Sequence, residues 1–275
     1  MTEGVARNIR FDLSNAPKNW HGAGQGASAF FDALSIMLPQ AERYMIKHTL
    51  KLRKKIDDPA LLEDIKFFKA QEATHTREHE NYNKRLRKLG YDVDGLEKKQ
   101  AKTLRWMEDN FSEEANVAFV VCFEHVTSVM SGRVLNDPRF LDLAEPAFRD
   151  IWEWHALEEF EHQSVAFDLL QEIRPGYFFR CWVMLIATYE FIKLGIRNMH
   201  SVYRTDKSRL SWSALSSAAG YLFFKPGLLR KMVLPYLDFF RPGFHPSQSR
   251  KSVDFERSRS RFDDLASLFI ENSAI

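Results

Sequence analysis

The chain has 275 residues, of which 45% are hydrophobic and 28% are charged, and its formal net charge is +2. These values are typical of a globular protein that buries a sizeable core, and one large domain fits this length best. The even charge balance, without clusters of Lys and Arg interleaved with aromatic residues, excludes a nucleic-acid partner.

Cysteine usage and the N-terminus indicate where the protein resides. The two cysteines, Cys122 and Cys181, lie far apart and form no CxxC pattern, as is usual in a reducing compartment. The N-terminal stretch MTEGVARNIRFDLSN lacks the apolar segment of a secretory signal, and no run approaches the ~20 uncharged apolar residues of a membrane span. We therefore expect a cytoplasmic protein.

Apolar residues recur at intervals of three and four through most of the chain, and alternating β-branched runs are absent. This pattern predicts an all-α protein. Long helices joined by short turns favour a ferritin-like four-helix bundle with one accessory helix. In chain order, the predicted helices cover 28–56 with a break near Pro39, 59–90 with Asp58 as N-cap, 96–110, 112–133 and 146–175.

The chain divides into four predicted regions. They are an N-terminal extension (1–26), the metal-binding bundle (27–175), amphipathic C-terminal helices packed on or beside the bundle (176–245) and a charged tail (246–275).

The stretch WHALEEFEHQSVAF carries two histidines and three carboxylates between large apolar residues. At 100° per residue, His155, Glu159 and His162 lie within about 60° of one another on one helix face. Glu72 and His75, on the second predicted helix, repeat the Glu-x-x-His spacing. Two helices therefore each present a carboxylate and imidazoles in one direction, which is the arrangement of a metal site.

Each of the other two bundle helices contains one glutamate among apolar residues, Glu42 and Glu124. Residues on neighbouring antiparallel helices lie level when they are equally far from the connecting turn. The midpoint of Glu42 and Glu72 is position 57, in a predicted turn, and that of Glu124 and Glu159 falls in the connection before Pro146. We therefore expect four buried glutamates at matching depth, which only a cation would neutralise.

The predicted ligands of two metal ions are Glu42, Glu72, His75, Glu124, His155, Glu159 and His162. Gln71 and Glu158 directly precede ligand glutamates, and we predict that they reach the imidazoles of the opposite hairpin and orient them. His155 is alternatively a hydrogen-bond donor to the ligands. A supporting or solvated position is favoured for His79, and no ligand role is assigned to His125. The alternative for the whole cluster is a polar core network without metal.

The pattern of Glu42, Glu72-x-x-His75, Glu124 and Glu159-x-x-His162 resembles the ferritin-like di-iron carboxylate superfamily, which includes ribonucleotide reductase small subunits, bacterial multicomponent monooxygenases and acyl desaturases. More closely, over about 19–246, the chain is similar to bacterial proteins described as predicted metal-dependent hydrolases. The stretches that carry this likeness are ALSIMLPQAERYM, FKAQEATHTREHENYN, FEHVT and WHALEEFEHQSVAFD.

A third likeness is local to one helix. The spacing of His155, Glu159 and His162 resembles that in di-iron arylamine N-oxygenases, which carry one additional histidine ligand. Because the likeness ends there, the substrate class of those enzymes does not transfer.

The superfamily resemblance implies two iron ions, with manganese or a mixed pair as alternatives. It also implies a reaction that uses O2 and an external electron donor to oxidise a small or lipophilic organic molecule. One alternative is metal-dependent hydrolysis through an activated water, although His-Glu-x-x-His and His-Asp pairs are absent. Another is iron oxidation as in ferritins. Phe68, Phe119, Phe123 and Phe160 fit the plain apolar core best, because aromatic residues at helical spacing usually pack there. The alternative is that they line a dry substrate pocket.

Residues 177–241 are rich in aromatic residues and leucine, interrupted by scattered lysine and arginine. Such helices are amphipathic rather than membrane-spanning. Packing over the bundle or a homodimer surface is the favoured arrangement. The alternative is that these helices lie at a bilayer interface and admit a lipophilic substrate.

Overall fold

A computed structural model describes residues 6–174, 176–205, 211–252 and 255–273 of the chain. Within these ranges the protein is helical and contains no β-strand, so the all-α prediction is confirmed. The α-helices are α1 (Gln25–Leu52), α2 (Pro59–Lys88), α3 (Val93–Asn110), α4 (Glu113–Asn136), α5 (Pro146–His162), α6 (Val165–Ile173), α7 (Tyr177–Thr205), α8 (Trp212–Ala219), α9 (Leu228–Leu237) and α10 (Glu256–Ser273).

The predicted starts of α2, α4 and α5 agree with the observed helices to within one residue, whereas α1 and α3 begin three residues earlier than predicted. The Asp58 carboxylate accepts the Ala60 backbone N–H at the start of α2, where proline occupies the first helical position. The Ser112 hydroxyl caps α4 in the same way, through the Ala115 N–H. Local sequence is sufficient here because a cap is a contact between residues two or three positions apart.

Two predictions about helix continuity are wrong: a break near Pro39 and an uninterrupted helix over 146–175. Helix α1 continues through Pro39 without a break. Pro39 leaves the Ser35 carbonyl without its helical donor, and Asn83 Nδ2 of α2 donates to that carbonyl at 3.0 Å instead. The helix predicted for 146–175 is interrupted after His162, where Gln163 Nε2 donates to the Phe160 carbonyl at 2.8 Å.

Helices α1 and α2 form one hairpin and α4 and α5 form another. The hairpins pack side by side, because α1 contacts α4 and α2 contacts both α5 and α6. This closed ring of four helices is consistent with the predicted bundle. Helix α3 packs on α1, α7 on α1 and α4, α8 on α1, α9 on α4, and α10 on α5.

The apolar core has two parts, and polar residues lie between them. In α1, Leu38 belongs to the first part and Met45 to the second, with Glu42 between them. From α5 into α6 the chain likewise passes from Trp154 in the first part to Val165 in the second. The polar layer therefore lies in the middle of the bundle, far from both of its ends.

Helix α4 has the length and mean hydropathy of a membrane span, and among the described helices it is the one that meets this criterion. However, 83% of its most apolar window is buried inside the protein. A core helix of a folded domain meets the same criterion.

The thiols of Cys122 and Cys181 are free.

Candidate metal centre

All seven residues predicted as ligands lie in the polar layer, and none is more than 2% exposed. Helix α1 contributes Glu42 and α4 contributes Glu124, each from the middle of its hairpin arm. Helices α2 and α5 contribute the rest, which are Glu72, His75, His155, Glu159 and His162. The four glutamates thus meet at one depth.

The seven residues, together with His79, fall into overlapping groups whose ligand atoms all lie within 4.8 Å of one another. The groups are Glu42, Glu72 and His75; Glu42, His79 and His155; His75, His155 and Glu159; and Glu72, Glu124, Glu159 and His162. Glu72 and Glu159 are the members of the Glu124 group that also belong to another group, so they stand between a half that contains Glu42 and a half that contains Glu124. A dinuclear site has this layout, in which two carboxylates are shared between two sets of donors.

The interatomic distances show how tightly the donors converge. His162 Nε2 lies 3.1 Å from Glu72 Oε1 and 3.3 Å from Glu124 Oε2. In the other half, Glu159 Oε1 is 3.5 Å from His75 Nδ1 and 3.4 Å from His155 Nε2.

Many of these buried polar atoms have no hydrogen-bond partner among the described residues. Both carboxylate oxygens of Glu42, Glu72 and Glu124 are unpartnered, as are Glu159 Oε2 and the Nε2 atoms of the two α5 histidines. An unsatisfied buried polar group costs about 1–3 kcal/mol, and more when it is charged. A donor set of orphaned carboxylate oxygens and imidazole nitrogens fits a pair of divalent cations.

Burial and proximity shift the pKa values of the cluster in opposite directions. Burial and the neighbouring Glu72 raise the pKa of Glu42 well above its usual range, and burial raises the pKa of Glu124 to about 8. Burial opposes a charge on His75, yet its contacts with Glu158 and Glu159 raise its pKa to about 10. Without a cation, the cluster therefore retains protons that a metal ion would displace.

Gln71 fixes the orientation and tautomer of His162. The Gln71 amide nitrogen donates to Glu161 Oε2 at 3.0 Å, so its amide oxygen faces His162 Nδ1 at 2.9 Å. That oxygen can only accept, so Nδ1 carries a proton, and Nε2 is the atom that would bind a metal ion or, without one, take a second proton toward the glutamates. The predicted reach of Gln71 to the opposite hairpin is thus present in the geometry.

Glu158 contacts the other hairpin in the corresponding way, with its Oε2 3.1 Å from His75 Nε2. Arg7 of the N-terminal segment contacts the carboxylates of Glu158 and Glu161 on α5. The Arg7 backbone N–H donates to Glu158 Oε1 at 3.0 Å, and the Arg7 guanidinium donates to the two oxygens of Glu161 at 2.8 and 3.0 Å. Arg7 is 1% exposed, so this ion pair is buried.

A second chain of hydrogen bonds orients His155. Asn83 Nδ2 donates to the Ser35 carbonyl, so Asn83 Oδ1 accepts the Ser35 hydroxyl proton at 3.1 Å. Ser35 Oγ therefore accepts from His79 Nδ1 at 3.0 Å, and His79 Nε2 accepts from His155 Nδ1 at 3.1 Å. The outcome is an unprotonated His155 Nε2 that faces Glu159. His79 is fully buried, so a solvated position for it is wrong.

Sequence reasoning missed Arg7, Glu161, Ser35 and Asn83. Glu161 belongs to the carboxylate-rich stretch that indicated the metal site, and this position could have suggested a role for it. Nothing in the local sequence of Arg7 marks it, because its partners are more than 150 positions away. Ser35 lies on α1 and Asn83 on α2, each more than one helical turn from the ligand glutamate of its own helix.

The remaining predicted residues separate into core and periphery. Phe68, Phe119 and Phe123 pack in the second part of the apolar core, as the plain-core alternative held. Phe160 lines a cavity of about 360 Å³ that His125 also lines. His125 points away from the cluster and lies 3.3 Å from the Tyr236 carbonyl, and it belongs to none of the metal-ligand groups.

The fold and the site together define an all-α protein with a buried carboxylate–histidine cluster of the kind that holds metal ions. The chain belongs to the family described as "Predicted metal-dependent hydrolase", which matches residues 5–250. The closer of the family resemblances seen in the sequence is thereby confirmed. Searches among curated proteins and among solved structures found no match.

Proposed function

We propose that this protein is a metal-dependent enzyme that holds two divalent ions between α1, α2, α4 and α5. The observation that carries the proposal is the set of unpartnered carboxylate oxygens on Glu42, Glu72 and Glu124 in a fully buried layer. A polar network without metal would leave these oxygens unsatisfied or protonated. Glu42 and His75 would serve one ion, Glu124 and His162 the other, and Glu72 and Glu159 both.

Hydrolysis is the activity that the family description supports, and this support is more direct than any for oxygen activation. Two bound divalent ions would act as Lewis acids and lower the pKa of a water molecule for attack on an ester, amide or phosphate. The residues of this chain would orient the ligands: Gln71 holds His162, and Glu158 contacts His75. The apolar core on both sides would exclude bulk water.

Oxygen activation by two iron ions is a second candidate, and the donor set favours it. Four glutamates and two to three histidines supply more negative charge than a water-activating zinc site with three protein ligands. The polar layer that holds the cluster lies between two parts of the apolar core, which suits a small apolar gas and a lipophilic substrate. This candidate requires an external electron donor. Iron oxidation as in ferritins would use the same ligands with no organic substrate.

Metal analysis and substrate turnover in one set of preparations would test the proposal. We expect about two ions per chain in the wild-type protein and in Glu80→Ala, which removes a half-exposed carboxylate from α2, but fewer than one in Glu72→Ala. Ester, amide and phosphate substrates are then assayed with and without O2. Equal hydrolysis in both atmospheres supports the hydrolase, and O2 consumption coupled to an organic substrate supports the oxygenase. Retention of two ions by Glu72→Ala would contradict the site itself.

A further inference from the structure

Helix α7 presents a row of large apolar side chains to solvent. Six of them are between 52% and 84% exposed, and they follow one another at alternating steps of four and three residues. They are Phe178, Trp182, Leu185, Tyr189, Ile192 and Ile196, which we call the α7 stripe. This spacing keeps the six side chains on one side of the helix. On the other side, Val183, Met184 and Ala187 are buried against the bundle.

The α7 stripe is continuous with exposed residues of α9. A cavity of about 490 Å³ is lined by Ile192 and Ile196 of the stripe and by Val233 and Leu237 of α9. All four side chains are at least half exposed. The stripe and α9 therefore form one apolar surface around the mouth of this cavity, which we call the α7–α9 face. A monomeric protein rarely leaves so extended an apolar surface in water.

The segment of the chain that forms the α7–α9 face is rich in positive charge. Residues 177–241 contain ten Lys and Arg but three Asp and Glu, a net charge of +7, whereas the rest of the chain has a net charge of −5. Lys193, Lys225 and Arg230 are exposed on this part of the chain. Lys193 follows directly after Ile192 of the stripe, and its ammonium group lies over the Tyr189 ring, 5.3 Å from its centre. Exposed cations next to an apolar surface are suited to phosphate oxygens.

We propose that the α7–α9 face binds the surface of an anionic phospholipid bilayer. The α7 stripe would enter the boundary between head groups and acyl chains, with Trp182 and Tyr189 at the level where such rings are preferred. Lys193 and Lys225 would contact the phosphates. The cavity opens within the same face, so an acyl chain that leaves the bilayer can enter it.

The charge of the face argues for a lipid surface over a second copy of the chain. Two copies that met through this face would bring the exposed cations Lys193, Lys225 and Arg230 of both copies together, and like charges repel across an interface. An anionic bilayer attracts the same residues, by about 1 kcal/mol for each Lys or Arg near its surface, which is about fivefold in affinity. Because α7 and α9 already pack on α1 and α4 through their other sides, docking requires no unfolding.

Co-sedimentation with vesicles would test this proposal without reference to metal content. We expect the full-length protein to pellet with phosphatidylglycerol vesicles at low salt, less at high salt, and little with phosphatidylcholine vesicles. Lys193→Gln with Lys225→Gln should lower the partition coefficient about 25-fold. Leu185→Ser with Ile196→Ser should lower it about tenfold, because both apolar side chains are lost from the contact.

The matched control replaces exposed apolar residues elsewhere, Trp106→Ser with Leu143→Ser, which are 56% and 60% exposed. This variant should bind vesicles as the wild-type protein does, and circular dichroism should show that every variant is folded. Failure of the wild-type protein to pellet with anionic vesicles at low salt would overturn the proposal. A dimer that Leu185→Ser with Ile196→Ser dissociates, without vesicle binding, would also overturn it and assign the face to a second copy.

Discussion

Arg7 and Glu161 form a two-point ion pair inside the protein, with N···O distances of 2.8 and 3.0 Å, although 154 positions separate them in the chain. Glu161 directly precedes His162 and accepts a hydrogen bond from Gln71, which orients that histidine. The N-terminal segment is therefore part of the support of the candidate metal centre.

Replacement of Arg7 by Met should weaken both folding and metal binding. Glu158 and Glu161 would lose their buried cation, and breaking a buried ion pair on one side costs about 3–5 kcal/mol. Because Gln71 would lose its fixed orientation, metal affinity should fall about 10- to 100-fold. Equilibrium titration with Mn²⁺ measures the affinity, and urea unfolding measures the stability.

The control is Arg10→Met in the same segment, because Arg10 is exposed and its nearest carboxylate contact is 3.5 Å away. Arg7→Lys keeps the charge without the two-point geometry and should retain part of the affinity if Arg7→Met does not fold. Unchanged Mn²⁺ affinity in Arg7→Lys and in folded Arg7→Met would refute a positioning role.

Replacement of Glu42 by Gln should have opposite effects on the metal-free and metal-loaded protein. Burial raises the Glu42 pKa well above that of the unfolded chain, so the folded state loses stability as pH rises from about 4.5 toward the raised pKa. Gln cannot ionise. Metal-free Glu42→Gln should therefore melt above the metal-free wild-type protein, by about 2–4 °C for each kcal/mol gained, and more so at pH 8 than at pH 5.

With metal bound, Glu42→Gln should melt below the wild-type protein, since the variant lacks one ligand oxygen. Thermal melts with chelator and with Mn²⁺ compare the two conditions. Glu80→Gln, a half-exposed position on α2, should change neither melt. A loss of stability in Glu42→Gln under both conditions would indicate that the Glu42 carboxylate is a structural group.

Replacement of Ser35 by Ala should weaken metal binding through His79 and His155. Without the Ser35 hydroxyl, His79 Nδ1 loses its acceptor, and the tautomer that exposes His155 Nε2 is no longer enforced. We expect about a tenfold lower affinity for one of the two ions, measured by stepwise Mn²⁺ titration.

Ser35→Thr retains a hydroxyl and should restore the binding. Ser128→Ala is the matched control, because Ser128 is also buried but donates to the His125 carbonyl of its own helix. Equal losses in Ser35→Ala and Ser128→Ala would mean that the hydrogen-bond chain to His155 does not influence the site.

Metal uptake should release protons, and the affinity should rise with pH. At pH 7, Glu124 and His75 hold protons, because burial raises the pKa of Glu124 to about 8 and carboxylate contacts raise the pKa of His75 to about 10. The pKa values of Glu42 and His162 are raised as well, by burial for Glu42 and by carboxylate contacts for His162. His155 holds none, since burial and the nearby His75 lower its pKa to about 3. Displacement of these protons is easier as pH rises toward 8, so affinity should increase from pH 6 to pH 8.

A pH indicator in weakly buffered solution counts the protons released on addition of Mn²⁺ or Zn²⁺. We expect more than one proton per ion. Fewer than one, together with an affinity that is constant from pH 6 to pH 8, would contradict the protonated cluster.

The sequence by itself determined the helical class, the caps at Asp58 and Ser112 and the seven residues of the candidate centre. These features depend on spacings within one helix or on equal distances from one turn, and such relationships are visible along the chain. The continuity through Pro39 was not predictable, because Asn83 of another helix compensates the Ser35 carbonyl there. The interruption after His162 was not predicted either, although its contact, from Gln163 to the Phe160 carbonyl, is local.

Only the tertiary structure decided which groups support the centre and which surface stays uncovered. Arg7 reaches Glu161, and Asn83 compensates Ser35, across separations that no periodicity records. The amphipathic pattern of α7 shows two unlike sides, but which one the bundle covers depends on how α1 and α4 pack against it. The physical reason is that burial and long-range pairing are properties of the packed chain, whereas helix formation is governed by neighbours in sequence.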